Sequence, residues 1–398
     1  MRTLRIGIAG AGIGGLALAS MLARAGVQVT VFDQFEAPRP VGSGLVIQPV
    51  GQMVLAELGA LDAALAAGNR IYRMAGRDAE SGRRVLDVSY DASGDPRFGL
   101  AIHRAALFDI LLDAAQAQGV AVTPGHRATD VVRDARQGMT LRFAEGPCAG
   151  PFDMIVDATG AGSRLSPLRS RALPFGALWS TVDWPTNTAL PRTDLRQAYV
   201  AAHKMVGILP LGTMPGQEGR KAAIFWSLRT DAHEDWCRAG LAAWKTEATR
   251  IWPKFAPFCD QITAPEQMVF AQYSHGTLAR PYDDGITYIG DAAHRASPQL
   301  GQGANMALLD AIALARALEK ANGDVALAQR FYAQARRWHV RAYQAMSWAF
   351  TPQYQSDSRS LPWIRDRILF PISQVRPANA LLTRLVCGDL LPPIGSLG

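Results

Sequence analysis

Ile289-Gly290-Asp291-Ala292-Ala293-His294, closely followed by Pro298-Gln299-Leu300-Gly301-Gln302-Gly303-Ala304-Asn305, is the stretch whose reading decides the fold. Its weight comes from a counterpart about 280 residues upstream, Gly10-Ala11-Gly12-Ile13-Gly14-Gly15. A dinucleotide fingerprint near one end and a glycine-rich acidic turn near the other imply that two distant segments grip one cofactor. In the later segment Gly290-Asp291 ends a strand, where Asp291 is placed to accept hydrogen bonds from the hydroxyls of a sugar-like chain. Gly301 and Gly303 leave backbone N–H groups uncovered just before a helix start, a favourable place for an electron-rich ring edge.

The upstream segment follows a short apolar run, residues 4–9, suited to a buried parallel strand. Gly10 permits a tight turn, Gly12 lets a pyrophosphate approach the backbone, and Gly15 lets the next helix pack close to the strand. That helix is expected from about Gly14 to Ala25, with its N–H groups and dipole favouring a phosphate and Gly26 as its stop. Residues 27–32 read as a second strand. Asp33 at its end lies 18 residues past Gly15 and 23 past Gly10, near the spacing of a carboxylate that takes ribose hydroxyls. An acid rather than a base there argues against a 2′-phosphate and leaves FAD or NAD.

Composition bounds the rest. A chain of 398 residues is long for one domain, and 48% hydrophobic with 19% charged residues is a globular balance. The net charge of +7 is carried by scattered arginines, with only short clusters such as Arg169-Ser170-Arg171 and Arg336-Arg337. No long basic run with interleaved aromatics occurs, so nucleic acid is not an expected partner. A basic surface suits an anionic substrate or nicotinamide phosphates, or is simply solvated. Cys148, Cys237, Cys259 and Cys387 are far apart, which removes the redox-disulfide reductases and the usual zinc spacing. No metal is expected. The first strand begins at the amino terminus and no apolar stretch reaches the roughly 18–20 residues of a spanning helix, so a cytoplasmic protein is expected.

Along the chain, strand and helix signals alternate over residues 1–175, with helices expected at residues 52–67 and 105–118. Residues 176–285 change to strand-like runs, at 177–183, 205–211, 221–228 and 268–273. Ala222, Ile224, Trp226 and Leu228 alternate with Ala223, Phe225, Ser227 and Arg229, which predicts a sheet with two distinct faces. Such a sheet forms one wall of a ligand cavity or a structural cap. Helices are expected at 231–251, 305–320 and 324–350, and the proline-rich last 45 residues should be short helices and turns. There Trp363, Ile364, Ile368, Leu369 and Phe370 form an apolar cluster that closes the pocket, docks on the core or touches a membrane. Docking on the core is the preferred reading.

In these motifs and their order the sequence resembles the class A flavoprotein monooxygenases, the family of para-hydroxybenzoate and salicylate hydroxylases. The resemblance covers most of the chain. Gly10, Gly12, Gly15 and Asp33 match the ADP-binding fingerprint, and Gly290, Asp291, Pro298, Gly301, Gly303 and Asn305 match the stretch that holds the flavin's ribityl chain and ring. Arg104 falls where the family places an arginine near the FAD pyrophosphate, a role that suits a guanidinium fork. The segment from Gly42 to Pro49 resembles the family stretch that passes the ring, which puts Val46 and Gln48 on the substrate side; Val50 replaces a common Asn. A middle motif departs. Gly160 and Ser163 align, but Thr159 stands where the family has Asp and Ser166 where it has Arg, with Arg164 or Arg169 available in compensation. The implied fold is α/β: a Rossmann-like FAD-binding domain (residues 1–175 and 286–350), an inserted β-sheet-rich substrate domain (176–285) and a helical C-terminal region (351–398).

The resemblance implies a FAD-dependent monooxygenase that uses NAD(P)H and O2 to hydroxylate an aromatic or heteroaromatic small molecule through a flavin C4a-hydroperoxide. No second G-x-G-x-x-G occurs, so NADH or NADPH is expected as a transient co-substrate without a Rossmann site of its own. Phe225 and Trp226 are further candidates for the substrate side. His103, His203, His275 and His294 are candidate general bases, with a structural role preferred for His294. The alternatives are another flavoenzyme on the same fold (a reductase, an oxidase or a Baeyer–Villiger-type oxygenase) or a non-catalytic dinucleotide-binding module. A halogenase is disfavoured, because no W-x-W-x-I-P stretch occurs.

Overall fold

The structure, a computed structural model, describes residues 3–36, 43–92, 94–134 and 138–397; Gly42 lies outside them. Ile6 and Ile8 are fully buried in the central strand Arg5–Ala9, which pairs in parallel with Gln28–Phe32 on one side and Met154–Asp157 on the other. The next strand outward is Ile286–Tyr288, also parallel. Registers run straight across the sheet, Phe32 beside Ala9, Ala9 beside Asp157, and Asp157 beside Tyr288. The fingerprint, Asp33, the middle motif and the Gly290 turn therefore all leave the sheet at one edge, the carboxyl edge where open α/β sheets bind their ligands.

The two glycine segments meet. Helix Ile13–Arg24 and helix Gly303–Lys320 share one apolar core with Leu16, Leu308 and Ile312 fully buried. Their approach is so close that a Cβ on Gly14 would stand 3.3 Å from the carbonyl oxygen of Ala307. On the other face of the sheet a three-stranded antiparallel meander, residues 128–152, packs Phe143 and Phe152 against Phe32.

A second, eight-stranded sheet lies apart from the first in sequence and contains Arg171–Asp183, Lys221–Arg229 and Val269–Thr277. Its other edge is built by Arg73–Asp78 and Arg84–Ser89, a hairpin from within the first 175 residues. That hairpin carries Arg73, Arg77, Asp78, Arg84 and Asp87 on short strands, a charged pattern common at sheet edges and weak as a strand signal. Both faces of Lys221–Arg229 are buried. Ile224 and Trp226 pack under helix His233–Ile251 with Trp244, Phe255 and Phe258, while Ala223 and Phe225 face Val46, Ala101 and the C-terminal Val386 and Cys387.

Two expected helices are interrupted by glycines at positive φ. The 52–67 helix divides into Pro49–Glu57 and Leu61–Ala67 around Gly59 at φ 72°, and His233–Ile251 is kinked at Gly240 at φ 78°. Trp363, Ile368 and Leu369 are exposed, so the C-terminal apolar cluster does not dock on the core as expected. The inner face of that segment is instead held by Arg365, which donates to the carbonyls of Ala201 and Gln353 at 3.1 and 2.8 Å between the rings of Tyr199 and Tyr354. Among the described residues no helix is long and apolar enough to cross a membrane.

Candidate functional site

The three fingerprint glycines divide by what surrounds them. Gly10 sits at φ 104°, and a Cβ there would fall 2.4 Å from the carbonyl oxygen of Ala158; one on Gly15 would fall 2.0 Å from that of Gly10. These two serve close packing. Gly12 faces open space, its nearest neighbour an oxygen 4.0 Å away. It also caps helix Ile13–Arg24 without any side-chain hydrogen bond, which leaves the first-turn N–H groups free for an anion. Asp33 accepts the N–H of Ala11 at 2.6 Å and that of Phe35 at 3.2 Å. Its carboxylate thus stiffens the fingerprint turn and keeps lone pairs for ribose hydroxyls.

The later segment is built around Asp310, fully buried on helix Gly303–Lys320. It accepts the N–H of Gly290 at 2.8 Å, His294 Nε2 at 2.7 Å and Arg336 Nε at 2.7 Å. Burial alone would raise its pKa; hydrogen bonds and attraction from His294 and the Arg336 guanidinium outweigh that and hold it far below the usual carboxylate range. His294 is thereby committed to structure and removed from the candidate bases. Asp291 next to it is open to solvent but enclosed by protein on nearly every side, the position of a group on the floor of a cleft. Enclosure raises its pKa against the opposing pull of nearby groups that include the guanidiniums of Arg104 and Arg295, so Arg104 belongs to the same cleft. Pro298 and Gly303 are exposed along that cleft, and Gly301 at φ 60° turns the backbone between them. A Cβ on Gly303 would meet nothing within 4 Å, and its helix, too, has no side-chain cap.

Asn305 needs correction. It is buried, and its amide is used up on protein: Oδ1 accepts from Gln48 N at 2.8 Å, and Nδ2 donates to Val46 and Gly301 carbonyls at 3.1 and 3.0 Å. It ties the glycine loop to strand Gly44–Ile47 and does not reach the cleft. In the middle motif the organising carboxylate is Asp157, which accepts from Thr159 N, Thr159 Oγ1 and Ser163 Oγ at 3.0, 2.6 and 2.5 Å. Ser166 donates to the Ala292 carbonyl at 2.6 Å and so fastens this loop to the Gly290 turn.

On the substrate side, period two separates the paired candidates. Phe225 lies on the face turned to Val46, tilted against Trp179 at 4.7 Å, whereas Trp226 lies under the helix on the opposite face. Trp226 cannot face the same cavity. Sequence reasoning missed Trp179, Tyr273 and Ser347. Trp179 donates to the Tyr273 hydroxyl at 2.7 Å, and His275 two residues on contacts Ser347 Oγ at 3.2 Å. The signal lay in the alternation of Ala271, Tyr273 and His275 along strand Val269–Thr277. Of the other histidines, His203 is exposed and His103 caps its helix through Nδ1.

Three buried polar atoms along strands Gly44–Ile47 and Gly99–His103 have no partner: Ser43 Oγ, Gln48 Nε2 and His103 Nε2. Orphaned groups of this kind cost about 1–3 kcal/mol each unless a ligand meets them. Together with the open faces of Gly12 and Gly303, Ser43 Oγ and His103 Nε2 form a cradle that fits an elongated, polar, phosphate-bearing cofactor. A cavity of about 30 Å³ at this edge is lined by Asp291, His294, Ser297, Leu300, Gly303 and Gln344. A larger one, about 470 Å³, lies at the other end of the strands among Arg5, Gly26, Gln28 and Gln118. Its glycines, Gly26 and Gly119, follow the carboxyl ends of helices Ile13–Arg24 and Arg104–Gln116, where the dipole disfavours a phosphate, so size does not identify the site here.

Comparison with known proteins gives a match to the FAD binding domain family over residues 3–146 and 180–349. The chain is 29% identical to a FAD-dependent urate hydroxylase of Klebsiella pneumoniae over 84% of its own length and 86% of the relative's. It is 30% identical to a kynurenine 3-monooxygenase of Xanthomonas axonopodis pv. citri over 85% and 76%. Among solved structures, K. pneumoniae HpxO complexed with FAD and uric acid aligns with a TM-score of 0.80 at 22% identity, covering 99% of this chain and 98% of that one. 2-Methyl-3-hydroxypyridine-5-carboxylic acid oxygenase gives 0.78 at 19% identity, over 96% and 97%.

Proposed function

The chain belongs to the FAD-binding family of class A aromatic hydroxylases, and from that premise we propose how its own residues carry out the family's reaction, in which NAD(P)H and O2 are consumed to hydroxylate an aromatic or heteroaromatic small molecule. When bound, FAD would supply the redox chemistry, accepting the reducing equivalents of NAD(P)H and activating O2, with one oxygen atom going to the ring and the other to water. The chain supplies binding, orientation and dryness.

The observation that carries this reading is the meeting of two cofactor segments, across the Gly14–Ala307 contact, at one edge of a parallel sheet. The uncapped amino end of helix Ile13–Arg24, with Arg104, holds the pyrophosphate. Asp33 would take the ribose hydroxyls and Asp291 those of the ribityl chain. The free N–H groups ahead of helix Gly303–Lys320 would hold the electron-rich part of the ring and favour negative charge on it. The sheet face of Val46, Trp179, Phe225 and Tyr273 would hold the aromatic substrate. The apolar wall keeps water from the reacting atoms. His275 is the candidate base: burial lowers its pKa, keeping it neutral and able to accept a proton.

The test is direct. Purified protein should be yellow, and a panel of aromatic acids, phenols, quinolones and pyridines should include one that stimulates NAD(P)H oxidation. Labelled O2 should then give product carrying one labelled oxygen. Asp291→Ala should lower FAD occupancy at least about tenfold, the loss of one or two hydrogen bonds to hydroxyls. Colourless wild-type protein, or D291A with full flavin and normal turnover, overturns the assignment.

A further inference from the structure

Residues 360–373 form one helical run with a wide five-residue turn at Arg365–Leu369, followed by helix Ala378–Cys387. The wide turn brings Ile368 back over Trp363, and one ordinary turn later Ile372 follows. Trp363, Ile372 and Val375 are 59%, 56% and 63% exposed, and Ile368, Leu369 and Leu381 join them. A row of this kind along one segment is unlike the single apolar residues scattered over most surfaces. The segment is not loose. Arg365 pins its inner face, Gln374 donates to the Asp87 carbonyl at 3.2 Å, and Thr383 donates to that of Ser89 at 2.7 Å.

The charges around this row are one-sided. The carboxylates beside this segment are already engaged: Asp357 by Arg229, Asp366 by Arg365, Asp389 by Arg97, and Asp87 by Arg73 and Arg84. Arg359, Arg367 and Arg376 are exposed and have no acidic partner among the described residues. A second copy of the chain would bring the same three unpaired guanidinium groups against their equivalents across a twofold axis, with no acid to receive them. A surface that is negative at its face and apolar beneath answers both features at once.

We propose that the outer face of residues 359–381 is a contact surface for an anionic lipid bilayer, with Trp363, Ile368, Ile372 and Val375 entering the headgroup boundary and Arg359, Arg367 and Arg376 meeting the lipid phosphates. The contact is interfacial, lying on the membrane without spanning it. It does not depend on the reaction proposed above.

The experiment is co-sedimentation of the flavin-loaded protein with vesicles of phosphatidylcholine alone or mixed with phosphatidylglycerol, at low and high salt. Wild-type protein should sediment with the mixed vesicles and not with phosphatidylcholine alone, and high salt should release it. Arg367→Glu with Arg376→Glu should weaken retention by about fivefold or more for each charge reversed. Ile372→Ser with Val375→Ser should weaken it too, while flavin content and circular dichroism stay those of the wild type. Failure to sediment with mixed vesicles overturns the proposal, as does equal sedimentation with both. So does a solution dimer that I372S/V375S dissociates, since the face would then belong to a second copy.

Discussion

At the residue scale, Gln48 is a buried side chain whose Nε2 lacks a partner. Its backbone is fixed by Asn305, and its Oε1 accepts the Tyr90 hydroxyl at 2.8 Å. Tyr90 is fully enclosed and burial pushes its pKa well up, so it stays a donor, which orients the amide with Nε2 toward Gly301. That donor has nothing to meet in the protein, so an oxygen of the substrate or an acceptor on the ring edge is its natural complement. Gln48→Leu should raise the KM for substrate about tenfold with flavin content unchanged. Tyr90→Phe should do the same more weakly, because the amide then loses only its orientation. Unchanged KM in Q48L removes Gln48 from the site. The places of Gly12, Asp33 and Asp291 at the carboxyl edge were legible in the sequence because each follows the end of a strand. Asn305 and Trp226 were not: whether a side chain faces a cleft or a neighbouring segment is decided by packing among residues hundreds of positions apart.

At the element scale, a buried polar chain joins the Gly290 turn to the C-terminal segment across two helices. Asp310 on the first helix holds Gly290 and Arg336; Arg336, on helix Val325–Tyr354, donates to the Pro393 carbonyl and contacts His339 Nδ1 at 3.2 Å; His339 Nε2 lies 2.8 Å from the Gly388 carbonyl. The partners assign His339 as neutral, Nδ1 accepting and Nε2 donating. Burial, reinforced by Arg336, lowers its pKa from 6.5 to about 3. Between those values the unfolded chain binds a proton that the folded one refuses. The contribution is therefore complete above about pH 6.5 and is lost as pH falls, by about 1.4 kcal/mol per unit. Urea unfolding at pH 6.5 and pH 5 should show roughly 2 kcal/mol of this loss, and His339→Gln should flatten the slope. An equal slope in H339Q shows that the histidine titrates freely. The parallel strands and the long helices were readable because buried apolar runs and helical spacing are local signals. The Arg73–Ser89 hairpin was hidden because its short strands carry their meaning only as the edge of a sheet formed about 100 residues later.

At the scale of the whole molecule, the cofactor adds a further link between parts that the chain already packs together. Asp33 and Gly12 stand on one side of the cleft, Asp291 and Gly303 on the other, and the protein's own contacts between them include the apolar core shared by helices Ile13–Arg24 and Gly303–Lys320 and the Gly14–Ala307 approach. A ligand that bridges both sides binds the folded state alone and raises its stability by mass action, about 2.7 kcal/mol at a hundredfold excess over Kd. Flavin-free wild type and flavin-free D291A should therefore melt together, because the Asp291 carboxylate accepts no hydrogen bond among the described residues, its backbone carbonyl keeps Arg295 Nε at 3.0 Å in either protein, and enclosure disfavours its charge. Adding FAD should raise the wild-type midpoint by several degrees, given about 2–4 °C per kcal/mol for large domains, and move D291A much less. Thermal melts of the two proteins, with and without added FAD, separate the alternatives. Equal shifts would mean that the acidic turn is not part of the grip, and that the fingerprint side binds the nucleotide by itself.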